Sequence, residues 1–196
     1  MTREIFAALA LACALAGCAN QKPTQSGFMQ DYGALRPSPE DKNLLMAPVN
    51  PSELSGFTAV YIEPAVLLLS SDEDPGATQE IARLMNAALA TELGATWPVA
   101  QAPGPGVLTV RTAITHVTRS KPWFNVAMAV VAPPLFNGGL SAEAEFLDPR
   151  TGRRLGALSW ADEGQFSPIG YFRQYGHARA LTGDFAKTVA KALPRT

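Results

Sequence analysis

Few residues in this chain have both the type and the setting to do chemistry, and the most specific of them is a thiol. Cys18 follows Leu15-Ala16-Gly17 at the end of an apolar run from Ile5 to Leu15, which a short stub carrying Arg3 precedes. Positive stub, apolar core and small residues are the layout of a secretory signal. A cysteine at the cleavage point adds a reaction. Its sulfur can attack an activated glyceryl carbon to form a thioether, and Ala16 and Gly17 are small enough to admit a peptidase to the bond before it. The other candidates are poorer. His116 and His177, the only histidines, have no His or Cys at ligand spacing, so no metal is expected. Asp72-Glu73-Asp74 lacks the spacing and the closing glutamate of a calcium loop and suits a solvated loop and helix cap. Gly104 and Gly106 alternate with Pro103 and Pro105, with no Lys-Ser or Lys-Thr after them, which makes a turn rather than a phosphate cradle. No Gly-x-Ser-x-Gly elbow occurs. Glu143 and Glu145 share a strand face and could flank a sugar, but alternating acids are ordinary on a wet face, and solvent exposure is the expectation. No catalytic set and no cofactor emerge.

With its cysteine, the leader looks like that of a bacterial lipoprotein. Residues 1–17 are then the signal peptide, Cys18 the site of lipid attachment, and the membrane the first partner. The apolar run of about eleven residues is too short for the roughly 20 that span a bilayer. Each buried methylene contributes about 0.8 kcal/mol, so several acyl chains hold firmly where one would not. By resemblance to that class, Ala19 rather than aspartate favours the outer membrane, with the body facing the periplasm. Composition narrows the rest. Cys13 leaves with the leader and Cys18 is acylated, and there is no third cysteine; packing alone must stabilise the mature domain. A net charge of −1 with dispersed charges gives no basic stripe, and no nucleic-acid partner is expected.

The elements that must position these groups follow from periodicity. Residues 18–54 read as a lipidated cysteine and a proline-rich arm, since Pro23, Pro37, Pro39, Pro48 and Pro51 forbid long helices or central strands. Within it Phe28, Met29, Tyr32 and Leu35 are too apolar for a spacer, so this piece is expected to dock on the body as one helical turn. Residues 55–196 form a single domain. Thr58 to Leu69 is a strand apolar on both faces. Asp74 caps a helix over Ala77 to Leu93, with Pro75 in its first turn, Ile81, Leu84, Met85, Ala88 and Leu89 on its buried stripe, and Gly94 as C-cap. Thr96 to Ala100 is a short strand, and Val107 to Arg119 the clearest one, with Leu108, Val110 and Ile114 opposite Thr109, Arg111 and Thr115. Gly139 to Asp148 and Arg153 to Trp160 pair through an Asp148–Gly152 turn. A last helix, Gln174 to Leu193, carries Tyr175, Ala178, Thr182, Phe185, Val189 and Ala192 on one face, and Gly176 and Gly183 would let it approach the sheet. The order is β-α-β-β-β-β-α. The expected fold class is α+β: a two-layer α/β sandwich whose mostly antiparallel sheet carries two helices on one face.

These pieces together resemble a bacterial lipoprotein family of unknown function, DUF3313. The resemblance rests on the lipobox Leu15 to Cys18, on Ser26-Gly27-Phe28 with Asp31-Tyr32 and Leu35, and on Pro103-Gly104-Pro105-Gly106-Val107-Leu108 leading into Arg111-Thr112-Ala113-Ile114-Thr115. It rests also on Glu143-Ala144-Glu145 with Asp148 and Thr151-Gly152. It covers nearly the whole mature chain, implies a secreted lipid-anchored domain, and supplies no catalytic residues.

One stretch departs from that pattern. Residues 123–136 are apolar apart from Asn125 and two prolines. Either they fold over the sheet's open face, or Trp123, Phe124, Val126, Met128, Leu135 and Phe136 form a surface for a partner or the lipid. The sequence thus points to a non-catalytic, lipid-anchored envelope protein that binds another envelope component, protein included. The alternative is a carrier of a small apolar ligand held between the sheet and residues 123–136.

Overall fold

Strand alternation fixes the centre of the molecule, and the computed structural model describes residues 22–69, 73–119, 138–163 and 175–195. The leader, Cys18, Asp72 and the 123–136 segment lie outside the described residues. In chain order the elements are β1 (Arg36–Pro37), β2 (Leu44–Ala47), a 3-10 turn (Pro51–Leu54), β3 (Ala59–Ile62), β4 (Val66–Leu67), α1 (Pro75–Gly94), β5 (Val99–Ala100), β6 (Val107–Thr118), β7 (Gly139–Leu147), β8 (Arg154–Glu163) and α2 (Gly176–Ala192). The fold is α+β: two helices and one mixed, mostly antiparallel open sheet of eight strands, ordered β1-β2-β8-β7-β6-β3-β5, with β4 also on β6.

The sheet has more strands than expected, for two local reasons. Pro64 has no amide proton, and three residues lie between Ile62 and Val66 where two lie between their partners Val110 and Ala113. The expected Thr58–Leu69 strand is therefore split by a bulge. In the arm, Leu44–Ala47 contains no proline and zips antiparallel onto β8, Leu44 opposite Trp160 and Ala47 opposite Ala157. Gly156 lies where this part of the arm crosses. An added Cβ there would stand 2.5 Å from Val49 Cγ2 and 3.0 Å from the Ala47 carbonyl, so only glycine permits the approach.

The helices start and bury as amphipathic sequences should. The Asp74 side chain accepts from the amides of Gly76 (2.9 Å) and Ala77 (3.3 Å), with Pro75 in the first turn, where no amide is needed. Ile81, Met85, Leu89 and Leu93 are fully buried, whereas Leu84 is 38% exposed and leaves the expected stripe. Gly94 is the last helical residue rather than the cap; right-handed Ala95 follows it. On α2 the expected face is buried. Gly183, expected to allow close approach, faces open space, with nothing within 4 Å of an added Cβ.

Both helices pack into one apolar cluster with Leu108, Val110, Ile114, Leu140, Ala142, Ala144, Phe146, Leu158 and Trp160. The Trp160 and Phe185 rings lie 5.8 Å apart. Trp97 Nε1 donates to the Leu193 carbonyl at 3.1 Å, closing the C-terminal end. The β7–β8 hairpin turns as its residues require: Asp148 accepts from the Arg150 amide at 2.9 Å, and Gly152 takes a φ of 69°.

Candidate functional site

The other face of β6–β8 holds the polar residues, and it is not wet. Glu143 has no exposed surface and Glu145 is 6% exposed, against the expectation of a solvent face. The reason is the arm, which lies across them as partial cover on the side away from the helices. Met29 and Leu35 are buried in a small cluster with Ala157, and Phe28 and Tyr32 pack at its edge. The docking expected of this piece therefore occurs, but through bends and a turn rather than a helical turn.

Glu143 is the centre of the contact. Its Oε1 accepts from the Thr24 hydroxyl and from the Ser26 amide, both at 2.9 Å, and its Oε2 accepts from the Tyr32 hydroxyl at 2.6 Å. The Tyr32 oxygen in turn accepts from the amides of Gly27 (3.0 Å) and Met29 (3.2 Å). One phenol thereby closes the arm on itself and ties it to the sheet. Thr24 Oγ1 also lies 2.6 Å from Thr115 Oγ1. The Thr24 proton goes to Glu143, so Thr115 is the donor in that pair. Ser159 Oγ donates to the Thr24 carbonyl at 2.7 Å. A buried acceptor left without donors costs about 1–3 kcal/mol, which makes the strap and Glu143 mutually dependent.

Two arginines finish the seat. Arg111 bridges Glu145 at 2.7 Å and Glu63 at 3.2 Å, and its guanidinium stands 5.2 Å from the centre of the Phe28 ring. Burial pushes the Glu145 carboxyl above its usual range, while Arg111 and Arg154 pull it back. Arg154 donates to the Asp31 carbonyl at 2.5 Å. Every acceptor named here is occupied by the chain's own donors. The arrangement binds and orients a peptide segment.

The remaining candidates are dispersed. His116 is exposed on β6 and His177 is buried at the start of α2, where burial lowers its pKa. Glu73, expected in a solvated loop, bonds Arg119 Nε at 3.3 Å and accepts from the Tyr175 hydroxyl at 3.3 Å. Among the described residues no group of three His, Cys, Asp or Glu could hold a metal, and no helix is long and apolar enough to cross a membrane. The Glu143 seat escaped the sequence reading. Its signal was divided between an arm too apolar for a spacer and an acidic face on a central strand, and neither half specifies the other.

Fold and site together define an α+β domain whose N-terminal strap is seated on its own sheet. The chain belongs to the family described as "Protein of unknown function (DUF3313)", whose model matches residues 24–189. The match opens at Thr24, the first residue of the strap seated on Glu143. Among solved structures, the chain is similar to the PelC dodecamer from Paraburkholderia phytofirmans, at 10% identity and a TM-score of 0.52, covering 78% of this chain and 97% of that one. A protein from Xanthomonas campestris of family DUF330 is 6% identical, with a TM-score of 0.41 over 74% of this chain and 91% of that one. Lipoprotein GNA1162 from Neisseria meningitidis is 14% identical, with a TM-score of 0.36 over 68% of this chain and 99% of that one. At these identities the PelC likeness speaks for the fold alone. No curated protein matches the chain at a significant level.

Proposed function

We propose that this is a non-catalytic, lipid-anchored envelope protein, held at the outer membrane through Cys18, that binds another envelope component. The carrying observation is the seated strap. Thr24 is bonded to Glu143 on the sheet six positions after Cys18, so little chain separates the proposed anchor from the seated strap. The absence of catalysis is supported by how the candidate acids are used: Glu143 seats the strap, Glu145 pairs with Arg111, Asp74 caps a helix, and Glu73 bonds Arg119 and Tyr175.

The proposed binding surface comprises Trp123, Phe124, Val126, Met128, Leu135 and Phe136. Thr118 pairs with Gly139, so the chain must leave and re-enter the sheet at one end for residues 123–136. Thr24 meets β6 at Thr115, close to that end. The carrier reading is the weaker, because helices fill one face of β6–β8 and the strap covers much of the other.

Capture from envelope extracts, comparing the intact chain with one lacking residues 123–136, tests the surface. Loss of specific partners is expected, and equal recovery of all of them removes the segment from the reading. Cys18→Ser tests the anchor through the mass of the mature N-terminus: an unchanged mass would mean that the natural cysteine carries no fatty acid.

A further inference from the structure

We propose that residues 24–35 are a reversible latch that sets how far the body stands from the bilayer, with Glu143 as its keeper. The proposal rests on the lipidated Cys18 of the preceding reading and adds to it a mechanical consequence.

The fixed point nearest the anchor decides the reach. With the strap seated that point is Thr24, and the chain from residue 18 spans at most about 20 Å. With the strap released the next fixed point is Arg36, paired with Met46 in the sheet, and the span rises to about 60 Å. For a flexible chain the root-mean-square separations are about 13 and 23 Å. Release therefore comes close to doubling the mean reach and roughly triples its limit.

The strap is built to part from the body as a unit. Its ties to the sheet are side-chain bonds: Thr24, Ser26 and Tyr32 to Glu143, Ser159 to the Thr24 carbonyl, and Arg154 to Asp31. Among the described residues no backbone-to-backbone bond joins 24–35 to the sheet. Its apolar contribution is modest, Met29 and Leu35 against Ala157 with Phe28 and Tyr32 beside them. The next stretch is different in kind, because β2 is laddered to β8 over its whole length and stays when the strap leaves. Segments with few apolar contacts and no ladder open locally, well below the free energy of global unfolding.

The test uses the full lipidated chain on vesicles of phosphatidylethanolamine and phosphatidylglycerol. A donor dye goes on a cysteine introduced by Lys187→Cys, at an exposed site on α2, and acceptors go in the headgroups. Thr24→Val combined with Tyr32→Phe removes two of the three donors to Glu143 and leaves the apolar core untouched. The expected result is a donor–bilayer distance longer by on the order of 10 Å, with cleavage inside residues 24–35 roughly 10–100-fold faster. Unchanged distance and unchanged cleavage in a folded, vesicle-bound variant would overturn the latch and leave the anchor intact. If the wild-type N-terminus carries no acyl mass, the anchor reading fails and the reach claim falls with it; proteolysis, which needs no lipid, would still report whether the strap opens.

Discussion

The two faces of the central strands are buried by opposite means. Toward the helices, Leu108, Phe146, Leu158 and Trp160 meet Met85, Leu89 and Phe185 in a continuous apolar cluster. Toward the strap, Thr115, Glu143, Glu145 and Ser159 meet hydroxyls, amides and guanidinium groups. Apolar packing is non-directional and its contribution scales with area, so the helix face is cooperative with the whole fold. A hydrogen-bonded seat is directional and contributes about 1 kcal/mol net per bond, while its satisfied groups can return to water when the cover lifts. One strand thus presents a face suited to permanence and a face suited to release.

Changes of different size test that contrast. Phe185→Ala, at the centre of the helix face, should cost about 3–5 kcal/mol and lower the denaturation midpoint of every probe together. Glu143→Ala should cost about 1–3 kcal/mol and act first on the strap. Amide exchange at Ser26 and Met29 should speed up well before exchange in β6–β8. If Phe185→Ala loosened only its own helix, or if Glu143→Ala lowered all probes in step, the two faces would be equivalent and the contrast would fail.

How much of this could be read from sequence follows the same division. The helix face was legible because apolar periodicity is a local property: Leu108, Val110 and Ile114 on β6, and Ala178, Phe185 and Val189 on α2, lie where a simple alternation puts them. Asp74, Pro75 and the Asp148–Gly152 turn were legible because caps and turns act within a few residues. The strap face was not. Glu143 looks like a surface acid until Tyr32, 111 positions away, is brought to it, and no local pattern encodes that meeting. The split at Pro64 and the strand at Leu44–Ala47 went unread for a related reason: strands this short exist only through the partners that pair with them. Leu84 shows the limit from the other side, since a correct helical period still exposes a leucine where the sheet does not reach.

Two smaller changes sharpen the contrast at the rim of the helix face. Gly183 on α2 faces open space, so Gly183→Ala should stabilise the protein by about 0.5–1 kcal/mol through helix propensity, seen as a higher thermal midpoint. A loss instead would mean that α2 needs the close approach the glycine allows.

The smallest effect concerns a carboxyl on that rim that serves no seat. Asp162, at the end of β8, has its pKa raised by burial; the Glu163 amide pulls the other way, and the Asp41, Asp184 and Glu163 carboxylates add to the rise. A raised folded-state pKa means that the stability due to its proton is complete below the unfolded value, about 3.9, and is lost as pH climbs through the folded one. Ionised Asp162 therefore costs stability at neutral pH. Asn cannot ionise, yet it keeps an oxygen to accept from Asn43 and from the Glu163 amide, as Asp162 Oδ1 does now. Asp162→Asn should raise the unfolding free energy at neutral pH by a few tenths of a kcal/mol, read from denaturant melts, and the gain should vanish below about pH 4. Glu143, embedded in donors, should give the opposite sign at neutral pH when replaced by Ala. Two acids on the same sheet, one whose removal helps and one whose removal releases the strap, would separate a carboxyl that is merely tolerated from one that holds a segment in place. A gain from Asp162→Asn that persisted in acid would trace to packing instead, and the charge argument for that rim would go.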